Sequence, residues 1–86
     1  MPEISRFLGI VIKMFFDDHN PPHFHAEYGG DLALIDIRNL SVFFGRLPPR
    51  VMGLVIEWAT IHQKELIVDW ERARSQEDLL KIAPLE

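Results

Sequence analysis

Eighty-six residues, 48% of them hydrophobic, are enough for one domain spanning residues 1–86 with a modest core that needs no metal or staple to fold. The chain has no cysteine, which excludes disulfides and thiolate chemistry and leaves imidazole, carboxylate and water to hold any metal. A formal net charge of -4 argues against a broad phosphate-binding surface and leaves only a small patch such as Arg46 with Arg50 for RNA. 

Met1 to Arg6 carry no basic segment followed by a long apolar run, and no later stretch approaches the ~20 apolar residues of a bilayer span. The expectation is a soluble, cytoplasmic protein with no membrane contact. From Gly9 to Phe16 the residues alternate, with Ile10, Ile12, Met14 and Phe16 forming the core face of a first strand. Asp17-Asp18-His19-Asn20-Pro21-Pro22 then forces a rigid loop, in which the two aspartates serve the turn through side-chain to backbone hydrogen bonds. A second strand begins at His23. Gly29-Gly30 predicts a tight hairpin into a third strand over Asp31 to Ile37. If Tyr28 faces Asp31, then Ala26 faces Ala33, Phe24 faces Ile35, His25 faces Leu34 and His23 faces Asp36. That register gives an apolar core face and sets a carboxylate beside His23. The same rule places Lys13 opposite Glu27 and Phe15 opposite His25. A turn at Arg38-Asn39-Leu40 leads to a short strand, Ser41 to Gly45.

After Leu47 the period changes from two to between three and four. Pro48 and Pro49 open a helix at the positions where a missing N–H costs least. Val51, Leu54, Val55, Trp58, His62, Leu66, Trp70 and Ala73 then recur at helical spacing, which predicts one long amphipathic helix ending near Arg74. Ile56, Ile61 and Val68 form a thinner apolar stripe on its polar side, suited to a partner or a second subunit. Leu79, Leu80 and Ile82 are expected to dock as a short turn. The fold class is therefore α+β: an antiparallel meander of three or four strands packed against one long C-terminal amphipathic helix.

The chemistry concentrates in Pro21-Pro22-His23-Phe24-His25-Ala26-Glu27-Tyr28. On a strand, alternation puts His23, His25 and Glu27 on one face and Phe24, Ala26 and Tyr28 on the other. Two imidazoles two residues apart can share one ion. His19, Glu27, Asp36 or an aspartate of the preceding loop would supply further ligands, and His23, His25 and His19 make the simplest metal set. Acid–base work without metal, such as cleavage of a phosphodiester, would draw on His23, His25, Glu27, Asp36 and Lys13. The plain alternative is that outward-facing histidines on an open sheet remain hydrated. His62, by contrast, reads as a boundary histidine packed on the helix, and the two tryptophans read as core.

Met1-Pro2 followed by Ile4-Ser5-Arg6-Phe7, then Asp18-His19-Asn20-Pro21-Pro22-His23-Phe24-His25-Ala26-Glu27-Tyr28, Leu47-Pro48-Pro49-Arg50 and Glu57-Trp58, resembles a short bacterial family catalogued as domain of unknown function 4160. The resemblance covers nearly the whole chain, and His23, His25 and Glu27 match its most recognisable segment. It implies a toxin-like component of a type II toxin–antitoxin module that binds a small cognate protein encoded nearby. Two other classes stay open, a non-catalytic interaction module and a histidine-based metal-binding domain. No cofactor is expected apart from a divalent metal, and the resemblance assigns no catalytic residues.

Overall fold

The first half of the chain forms five antiparallel strands, β1 (Glu3–Phe7), β2 (Ile10–Lys13), β3 (His23–Tyr28), β4 (Asp31–Asp36) and β5 (Val42–Gly45), with alternating burial clearest in β2. They lie in one sheet in chain order. Two helices follow, α1 (Pro49–Ile61) and α2 (Gln63–Arg74). This computed structural model describes residues 3–85, so the Met1-Pro2 pair of the family-like pattern lies outside it.

The α+β class is as expected, with five strands where three or four were expected. The additional strand is β1, whose sequence hides its period. A register shift between Glu3 and Ser5 turns neighbouring Ile4 and Ser5 both inward, which breaks the period of two. The turn into β2 is a tight Leu8-Gly9 pair at φ 53° and 81°, a conformation for which a leucine gives no signal. The strand expected over Gly9 to Phe16 is shorter and ends at Lys13. Ile10, Ile12 and Met14 are buried, but Phe16, past the strand end, is exposed.

The β3–β4 hairpin has the expected register throughout, from Tyr28 opposite Asp31 to His23 opposite Asp36. The β2–β3 register does not. Lys13 stands opposite His25 and Val11 opposite Glu27, two residues away from the expected pairing. A slip of two keeps every side chain on its face. It escaped the sequence because the connection is a long loop, from Met14 to Pro22, that does not dictate register.

One face of the sheet, carrying Ile10, Ile12, Phe24, Ala26, Ala33 and Ile35, is fully buried against Val51, Val55, Trp58, Leu66 and Trp70 of the helices. The expected single helix is two. At His62 the backbone leaves the helical region, with φ -110° and ψ 22°. The hydrogen-bond ladder nevertheless bridges the break, because His62 N–H donates to Trp58 and Leu66 N–H donates to the His62 carbonyl. Gln63 explains the position: its Nε2 donates to the Ile37 and Arg38 carbonyls at 2.7 and 3.0 Å, anchoring the start of α2 to the turn after β4. Ile56 packs partly into the core, so the second apolar stripe reduces to exposed Ile61 and Val68.

The C-terminal segment docks as an extended strap, not as the expected turn. Leu80 N–H donates to Asp69 Oδ1 at 2.8 Å, Ile82 N–H to the Ile4 carbonyl at 2.8 Å, and the Trp58 indole to the Ala83 carbonyl at 2.8 Å. Ile82 is buried and Leu80 is exposed.

Candidate metal centre

Strand β3 starts at His23, directly after Pro21-Pro22, and the loop before it returns beside the end of α2, where Arg74 Nη1 donates to Asn20 Oδ1 at 3.4 Å. That return brings Asp18 over both histidines. Asp18 Oδ2 lies 3.2 Å from His23 Nε2 and 3.1 Å from His25 Nε2. The three potential ligand atoms all fall within 4.8 Å of one another. In a tetrahedral site with bonds of about 2.0–2.1 Å, neighbouring ligand atoms are roughly 3.3 Å apart, so the spacing on both sides of Asp18 already suits a coordination polyhedron.

The tautomer of His23 sharpens this. Its Nδ1 lies 2.8 Å from the Pro21 carbonyl, which can only accept, so Nδ1 carries a hydrogen and Nε2 is the nitrogen presented to Asp18. A ring nitrogen and a carboxylate oxygen at that distance hold a proton or a metal ion between them. A backbone carbonyl behind the far ring nitrogen is also the usual way of orienting a histidine ligand. Burial pushes the His25 imidazole below the ordinary histidine value, against the opposing pull of Asp18, and so favours the neutral ring that a metal needs.

Aromatic rings close the site. Phe15 stands edge-on to His25 at 4.6 Å between centroids, Phe43 edge-on to His23 at 5.3 Å, and Trp70 of α2 lies tilted against His23 at 5.4 Å. The His23 and His25 side chains are only 7% and 16% exposed, so these histidines are not hydrated surface groups.

The other sequence-derived candidates are held elsewhere. Lys13 and Glu27 pair with each other, Nζ to Oε1 at 3.1 Å, on the same sheet face. Asp36 is opposite His23 in register, but Arg38 occupies its carboxylate, donating from Nη2 to Oδ2 at 3.1 Å and from its backbone N–H to Oδ1 at 2.8 Å. This pairing lowers the Asp36 carboxyl from the ordinary range. The carboxylate on His23 therefore comes from Asp18. Exposed His19 stays outside the cluster of potential ligands found among the described residues. Read from sequence, the two loop aspartates serve the turn, and an aspartate of that loop is also offered as a further ligand with no choice between them; the structure brings Asp18 to the histidines. Nothing in the pattern pointed to Phe43 or Trp70. His62 is as expected, bonded to Glu65 and packed on Trp58. A separate cavity of about 230 Å³, lined by Val68, Asp69, Leu80 and Ile82 among others, includes none of the histidines.

Fold and site together define a small α+β domain with a two-histidine, one-carboxylate cluster at the start of β3, flanked by Trp70 of α2. The chain belongs to the family described as Domain of unknown function (DUF4160), which matches residues 9–71 and so spans β2 to most of α2, including Asp18, His23 and His25. No curated protein and no solved structure matches the chain. Among the described residues no helix is long and apolar enough to cross a membrane.

Proposed function

We propose that this protein is a metal-binding domain in which Asp18, His23 and His25 hold one divalent transition-metal ion. The convergence of two imidazole nitrogens and one carboxylate oxygen within 4.8 Å carries the reading. A nitrogen-rich set with one hard oxygen suits zinc and its neighbours and is a poor match for magnesium or calcium, which prefer all-oxygen shells. Three protein ligands leave at least one coordination position for water or a further ligand.

Binding to the folded state alone stabilises by mass action, about 2.7 kcal/mol at a free concentration one hundred times the dissociation constant. Thermal unfolding with zinc, nickel or manganese should therefore show a raised melting temperature that chelator reverses. Asp18→Asn, which keeps the shape and loses the charge, should weaken binding by about tenfold or more. An unchanged melting temperature of the wild type with all three ions would sink the proposal.

A second reading is a toxin-like component that binds a small cognate protein. Its structural support is the exposed apolar pair Ile61 (63%) and Val68 (45%) on consecutive helices. Growth after induction of the wild type and of His25→Ala, each without its genomic neighbour, tests it. Arrest by the wild type alone favours a toxin acting through the histidine face, and normal growth with both removes that reading.

A further inference from the structure

The two edges of the sheet are treated differently. At β1 the C-terminal strap runs alongside, with Ile82 N–H on the Ile4 carbonyl and Lys81 Nζ on the Glu3 carbonyl at 2.9 Å. At β5 no comparable cover exists among the described residues: all four residues are exposed, and the backbone bonds of this segment run to β4 and its turn. An open edge is ordinarily blunted by charge, proline or a covering element. Val42-Phe43-Phe44-Gly45 contains neither a charge nor a proline, and it exposes Val42 by 40%, Phe43 by 46% and Phe44 by 61%.

We propose that a second copy of this chain covers this edge, with β5 pairing antiparallel to its own counterpart across a two-fold axis so that the two sheets become one. The proposal stands apart from the metal reading. Its support is self-complementarity in face, with no like charges opposed. A register shift between Leu34 and Ile35 makes Phe43 an extra residue, so Val42 and Gly45 lie opposite the core-face residues Ile35 and Ala33, while Phe44 lies opposite Leu34 on the histidine face. Phe43 reaches the same histidine face, at the ring of His23. Opposed residues in a ladder must share a face. Setting Phe43 against the second copy's Phe44 meets that condition, and Val42 then meets Gly45. A shift by one residue does not, since it would set Val42 against Phe44. In the matched register Ser41 faces Arg46, so no like charges are opposed, and the four phenylalanines gather on one side where aromatic pairs reinforce the ladder.

A four-residue ladder is small beside a standard interface of about 1,600 Å², so the dimer should be weak. Sedimentation equilibrium of the whole chain should show a dimer at about 100 μM that dissociates on dilution toward about 1 μM. Phe44→Lys should be monomeric at the higher concentration with an unchanged circular dichroism spectrum, and Val42→Lys provides the same test should the first variant fail to fold. A wild type that is monomeric at ~100 μM overturns the proposal, whether or not a different protein binds the edge. A dimer that survives both lysine variants overturns it too, because the contact then lies elsewhere.

Discussion

A single oxygen of Asp18 faces both histidines, 3.2 Å from His23 Nε2 and 3.1 Å from His25 Nε2. Asp36 shows how local chemistry redirects a residue that register had placed correctly. Arg38, two positions on, supplies a backbone N–H and a guanidinium to Asp36, and a partner that near costs little to organise. The folded carboxyl consequently lies below its unfolded value. Its contribution to stability is present above the unfolded value of about 3.9 and is lost as pH falls through the folded one. Arg38→Gln should lower stability at neutral pH, modestly because the guanidinium is exposed, and so move the midpoint of acid unfolding, read by circular dichroism, to higher pH. An acid midpoint identical to the wild type would show that the pair does not act this way.

At the scale of elements, the sequence was legible wherever a short turn or an unbroken alternation constrained the chain. Gly29-Gly30 joins β3 to β4 with no slack, so the whole hairpin register followed from two residues. Phe24 and Ile35, opposed on its core face, are fully buried. Phe24→Ala should destabilise by roughly 3–5 kcal/mol in denaturant unfolding. A loss below about 1 kcal/mol would mean that the site collapses around the missing ring. Elements were hidden where tertiary contacts override the local pattern: the bulge in β1, the loop that leaves β2 free to slip by two, and the Gln63 anchor that fixes the break between the helices. The site was half legible for the same reason. His23 and His25 share a face by alternation alone, whereas Asp18, Phe43 and Trp70 reach them only through the folded loop, edge strand and second helix. Gly45 is a further product of the assembly. At φ 74° it brings the chain so close to Leu32 that a Cβ would meet the Leu32 carbonyl oxygen at 2.1 Å.

Across the whole molecule, the strap links α1, α2 and β1 through Trp58, Asp69 and Ile4. Asp69 is its costly member, 1% exposed, with Oδ1 taken by Leu80 N–H and Oδ2 without a partner. Burial raises its carboxyl above the ordinary range. Folding therefore favours the protonated acid, and the associated stability is present below the unfolded value near 3.9 and is lost as pH rises through the folded one. Asp69→Asn keeps an acceptor for Leu80 and removes the charge. In urea unfolding, its stability relative to the wild type should improve between pH 4 and pH 7; a difference that does not vary with pH would contradict the assignment.

Trp70 gives the site an optical consequence. Its indole lies against the ring of His23, whereas Trp58 is surrounded by Phe7, Phe24 and His62. Charge or an unpaired electron arriving at His23 would reach the excited state of Trp70 first. The protein thus carries its own fluorescent gauge of what occupies the histidine face, without an added label, and Trp70→Phe supplies the blank.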